Sequence, residues 1–210
     1  MTSTATRQRP VAPARTLSSP AAAIGVLILT GVLSLAALLG PNLVADDLGM
    51  TMTMGMTHYM ELLGTNQPWN LLLFMGVPVV IAETLAITEL ALLLPGQRPV
   101  WVRRMNHGAG LVAGPAMLAI VIHLLLNAVI PLTSGGGWRG TADVLAVLLY
   151  LTGLVPFAGI TLVELGLIGR TDTDAQRLRA TLIGVFLVVA HVAMIFGMLD
   201  PTLLGYAMHH

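Results

Sequence analysis

The chain has no cysteine and no lysine, and few of its 210 residues are aromatic (5%) or charged (10%). Without cysteine there are no disulfides, no thiolate metal ligands and no thiol nucleophile on either side of a membrane. Any metal must therefore be held by His, Met or carboxylate groups. All ten cationic side chains are arginine, and ten acids balance them. No basic excess is left to bind nucleic acid. No Walker loop, nucleophile elbow or metalloprotease motif is present, so the sequence gives no support for soluble enzyme chemistry. What remains is apolar: 56% of residues are hydrophobic and the mean hydropathy is +0.85, outside the composition of soluble domains and inside that of polytopic membrane proteins.

The stretch from Trp69 to Leu94 organises the rest. It exceeds the roughly 20 residues needed to cross the hydrocarbon, yet it carries Glu83 and Glu89. A mid-span carboxylate costs about 2.5 to 3.5 kcal/mol on insertion scales, which makes such a group a functional suspect and predicts a polar interior. In chain order, residues 1–19 read as a disordered cytoplasmic tail with Arg7, Arg9 and Arg15. A first helix over about 21–40 follows. A basic segment before it and Leu43-Val44-Ala45 after it imitate a signal peptide, but its apolar run is longer than the usual 7 to 15 residues, and the reading keeps it as a span. Residues 42–68 form an exported, Met-rich loop, in which Thr57 caps a short amphipathic turn through Leu63 that Gly64 ends as the left-handed residue. Further helices are predicted at about 69–94, 106–132, 144–168 and 182–199, before a short tail, 205–210.

This partition places nine of the ten arginines on one side and leaves only Arg139 on the other, which by the positive-inside rule puts the N-terminus inside and the C-terminus outside. Trp69, Trp101 and Trp138 fall near helix ends, where indole rings favour the headgroup region. The expected fold is therefore all-α: one membrane domain, a bundle of five transmembrane helices over 20–204.

The candidate site residues are all intramembrane or near it. His123 and His191 lie at similar depth, roughly 10 to 12 Å inside the outer boundary, and two imidazoles on separate helices are able to ligate haem b or to share copper with thioethers. Met194 and Met198 follow His191 on the same face, and Asn127 stands one turn after His123 as a hydrogen-bond partner. The Met-rich loop, with His58 and Glu61, offers soft ligands for copper, against the blander reading that its methionines fill irregular apolar contacts. Glu83 and Glu89 do not share one stripe of their helix; Glu83 is expected to turn into the bundle. Glu89, Glu164, His107 and Asn127 complete a possible polar or proton path. The second and fourth helices each end in a Glu-Leu-small-Leu pattern (from Glu89 and from Glu164), and the third and fifth each carry a histidine. Read as a weak duplication, this puts Glu89 beside Glu164 and His123 beside His191. Gly110 and Gly114 form a small-xxx-small pair suited to close helix packing.

The strings at 56–63 (MTHYMELL), 67–74 (QPWNLLLF), 136–144 (GGWRGTADV) and 191–202 (HVAMIFGMLDPT) resemble an uncharacterised family of bacterial, specifically actinobacterial, inner-membrane proteins often labelled permease. The resemblance spans Met56 to Leu204, implies localisation in the bacterial cytoplasmic membrane and supplies no site residues. Three functional readings stand. The first is a permease-like protein whose Glu/His site handles protons or a metal cation such as copper. The second is a b-type haem or quinol-linked redox protein, and the third an accessory subunit of a larger membrane complex. The lipid bilayer is the expected partner, with a homo-oligomer or a larger complex open.

Overall fold

The computed structural model describes residues 19–43, 56–96 and 99–201. The tail with Arg7, Arg9 and Arg15, the methionines Met50, Met52 and Met54, Arg98, and the C-terminal tail with His209 and His210 lie outside the described residues. Among the described residues all regular structure is helical. The elements are α1 (Pro20–Leu39), α2 (His58–Gly64), α3 (Trp69–Leu93), α4 (Val100–Gly135), α5 (Thr141–Glu164) and α6 (Asp172–Met198). All but α2 are long and apolar enough to cross a membrane.

Two helices begin before the apolar window that predicted them. The helix expected from about 106 starts at Val100, and the one expected from about 182 starts at Asp172. At the latter, Thr171 caps the helix by accepting the Asp174 amide at 3.1 Å, and Asp172 and Asp174 favour the positive N-terminal end of the helix dipole. Hydropathy marks only the part of a helix in hydrocarbon, whereas these helices continue beyond it. As a result Arg103, Arg104, Arg177 and Arg179 are helical and not loop residues. The fourth span stops at Glu164, short of 168, because Gly166 and Gly169 turn the chain at φ 73° and 88°. Gly64 is the last residue of α2, and the positive φ falls on Asn66 (47°) instead.

Prolines shape the spans. Leu72–Gly76 in α3 and Leu125–Val129 in α4 are wider π-helical turns, each followed within two residues by a proline, Pro78 and Pro131. Pro78 has no N–H to offer the Phe74 carbonyl, and the Tyr150 hydroxyl donates to that carbonyl at 2.5 Å. α5 is interrupted at Gly153, three residues ahead of Pro156.

α4 is the central element, packing against α1, α3 and α5; α6 packs on α5 and, more lightly, on α3. Phe157 and Phe186 stack at the α5–α6 contact, centroids 3.9 Å apart. At the α4–α5 crossing a Cβ on Gly110 would meet Glu164 Cγ at 2.5 Å, and one on Gly114 would meet Thr161 Oγ1 at 2.8 Å. The glycines are thus spaces that α5 side chains fill. Thr161 uses that proximity: its hydroxyl donates to the Gly110 carbonyl at 2.7 Å and accepts the Gly114 amide at 2.9 Å. α1 packs on the outside of α4 and buries none of its own residues.

Candidate functional site

Five polar side chains from four helices meet at the end of the bundle that carries Arg103, Arg104 and Arg179. α5 ends on Glu164 and α3 nearly ends on Glu89, so both carboxylates arrive at this level; α4 and α6 start there and contribute Asn106, His107 and Arg179. The Arg179 guanidinium joins the two acids. Its Nη1 donates to Glu164 Oε1 at 2.5 Å, and its Nε stands 3.3 Å from Glu89 Oε2, an ion-pair contact without hydrogen-bond alignment. The other oxygen of Glu164 is 2.6 Å from His107 Nδ1. Asn106 donates to Glu89 Oε2 at 3.1 Å and to Thr88 Oγ1 at 2.9 Å. Glu89 Oε1 is buried with no hydrogen-bond partner among the described residues.

The His107 side chain is 49% exposed while the Glu164 side chain is 3% exposed, so one histidine touches solvent and a buried carboxylate together. A cavity of about 650 Å³ reaches it, lined among others by His107, Glu164, Arg179, Arg103, Arg104 and Asp172. Of the residues read from sequence as a polar path, the structure brings Glu89, Glu164 and His107 to this network and leaves Asn127 beside His123. Arg179, which holds the network together, was missed because a helix start at Leu182 leaves that arginine in a loop.

A second polar cluster closes the opposite end. α2, held by the Thr57 cap, lies on the bundle with His58, Tyr59, Glu61, Leu62 and Leu63 buried. His58 Nδ1 is 2.5 Å from Asp143 Oδ2, and its backbone amide donates to Asp143 Oδ1 at 2.7 Å. Arg139 pairs with Glu61 at 2.6 Å and donates to the Met56 carbonyl at 2.7 Å. The Thr57 hydroxyl donates to the Gly197 carbonyl of α6. His58, proposed from sequence as a soft-metal ligand beside methionines, is thus bound to a carboxylate, with Trp138 edge-on at 6.3 Å. Burial pushes the Tyr59 phenol up to about 12, which keeps it protonated throughout the physiological range.

His123 and His191 occupy different surroundings. His123 is buried beside Phe74; its Nε2 accepts the Leu43 amide at 3.4 Å, and its Nδ1 is 3.4 Å from the Ala37 carbonyl. Ala37 of α1 and Leu43, four residues beyond its end, thus contact the two ring nitrogens. Asn127 donates to the His123 carbonyl at 2.9 Å and lies 3.4 Å from Nδ1, the helical neighbour contact expected from the spacing. His191 is exposed on α6, with Nδ1 2.6 Å from the Leu187 carbonyl. Met194 lines the same cleft as His191, while Met198 is 67% exposed at the helix end. Glu83, expected to face the bundle, is exposed and lines the cleft between α3 and α6 that His191 also lines. The α3 apolar face is wide enough on both sides that periodicity does not reveal which side the glutamate takes. Among the described residues, no three His, Asp or Glu side chains converge as a metal site.

A family model matches residues 54–210, which takes in α2 to α6 and leaves α1 outside. The chain belongs to the family of unknown function DUF6803. Neither a curated protein nor a solved structure matches it. The membership bears out the expected uncharacterised family, and the five apolar helices make the chain a membrane protein.

Proposed function

We propose that this is a permease-like, proton-responsive protein of a bacterial cytoplasmic membrane, with the arginine-rich end in the cytoplasm and the Glu89–Arg179–Glu164–His107 network as its working site. The observation that carries this reading is charge balance. Two buried carboxylates share one arginine, and an uncompensated buried charge costs several kcal/mol, on the order of 3 to 5. One further proton restores neutrality. Both oxygens of Glu164 are engaged, whereas Glu89 Oε1 is free to take it. His107 and Glu164 both line the cavity, and the half-exposed His107 supplies the exchange with water. Loss of the proton from Glu89 draws Arg179 toward α3, and its return releases the guanidinium to Glu164, so protonation biases the packing of α6 against α3 and α5.

The test is proton movement into liposomes holding the purified chain and an entrapped pH dye, driven by a potassium diffusion potential. Wild type should acidify the lumen faster than protein-free liposomes, and Glu164→Gln, which severs His107 from the network, should reduce that rate at least tenfold. Rates equal to those of protein-free liposomes contradict proton transport and turn the reading toward an accessory subunit.

A further inference from the structure

We propose that the cleft between α3 and α6 is a binding site for a lipophilic amine, its ammonium group held by Glu83 and His191. This is a separate site from the proton network and does not depend on it. Glu83 stands ten residues from the Leu93 end of α3, about 15 Å at 1.5 Å per residue and so deep in a hydrocarbon layer about 30 Å thick. It is exposed there, and among the described residues no hydrogen bond or ion pair engages it. A carboxylate facing lipid requires a counter-charge or a proton.

The cleft beside it has a volume of about 220 Å³. Each polar side chain that faces it from α3 or α6 is an acceptor. Glu83 offers its oxygens. The His191 ring donates from Nδ1 to the Leu187 carbonyl at 2.6 Å, which fixes the tautomer and leaves the Nε2 lone pair for a ligand. The rest of the wall includes the rings of Tyr59, Phe74, Tyr150 and Phe186, whose faces attract a cation. Val79, 37% exposed, and Val189 line it on the two helices, and Glu83 and His191 are themselves exposed, so the cleft is open to the hydrocarbon.

The occupant follows from these acceptors. A metal ion would need more ligands than one carboxylate and one imidazole in an otherwise apolar wall. A second copy of the chain has no cation to bring to this depth, since all ten arginines lie outside the central part of every span. An amine drawn from the bilayer supplies both the charge and the hydrogen-bond donors. Because the cleft is smaller than the roughly 300 to 1,000 Å³ of pockets for drug-sized ligands, it takes the ammonium-bearing head and leaves a longer tail in lipid.

The full chain, purified in detergent micelles, is titrated calorimetrically with 2-phenylethylammonium and with its neutral isostere 2-phenylethanol, against protein-free micelles. Saturable binding of the amine is expected, at least tenfold tighter than of the alcohol, at least tenfold weaker in Glu83→Gln and several-fold weaker in His191→Ala. Val189→Phe, which fills the cleft from its α6 wall and leaves Glu83 in place, should abolish binding. Amine binding that is absent in wild type, equal to that of the alcohol, or undiminished in Glu83→Gln or Val189→Phe overturns the proposal.

Discussion

Arg179 is the residue on which the buried charges depend. Among the described residues it alone links α6 to the acids of α3 and α5, and its removal leaves the two carboxyl groups without their shared counter-charge. Arg179→Met should destabilise the chain by about 3 to 5 kcal/mol, seen as a lowered melting temperature in detergent. Arg179→Lys should recover part of it, because an ammonium restores the charge without reaching both acids in one planar fork. Adding Glu164→Gln to Arg179→Met should also restore stability, since with Glu89 protonated no buried carboxylate is then left charged. At this scale the sequence was half legible. Glu89, Glu164 and His107 stood out because charge in an apolar run is conspicuous, and their common level followed from counting residues to the helix ends. Arg179 lay among arginines that looked like ordinary interface charges, and nothing in its neighbours marked it as turned inward. His123 and His191 each take a backbone carbonyl contact, at Ala37 and Leu187, which equal depth alone did not reveal because it does not fix azimuth.

The helices show what small residues and prolines are for in this bundle. Gly110 and Gly114 let α5 approach α4 closely enough for Thr161 to bond both their peptide groups. Their spacing marked them as packing residues, but the hydroxyl that exploits them was not readable, since Thr161 is one of several threonines in apolar surroundings. Gly114→Val should force apart Thr161 Oγ1 and the Ala158 Cα, which would stand 2.8 and 3.2 Å from the new Cβ. A melting temperature unchanged from wild type, or a His107–Glu164 contact undisturbed in a structure of the variant, would sink this account of the crossing. α2 was legible through its Thr57 cap and its short amphipathic pattern. Its pairing with Asp143 and Arg139, some 80 residues away, required the fold.

For the whole molecule, length and hydropathy were enough to specify five spans, because nothing but a helix satisfies its backbone in hydrocarbon over such lengths. Orientation rests on the arginines alone. A reporter active only outside the cytoplasm, fused after His210, should be active; activity of a cytoplasm-only reporter at that position would invert the topology or remove a span. Inversion would also place the proton network at the outer surface, so the two ends of the bundle are assigned by one experiment.

The proton on Glu89 is the centre of the functional account, and infrared spectroscopy of the purified chain observes it directly. At neutral pH the account predicts a carboxylic-acid C=O stretch that shifts in heavy water and is missing from Glu89→Gln. A wild-type spectrum without that band, or a band that survives Glu89→Gln unaltered, would contradict it.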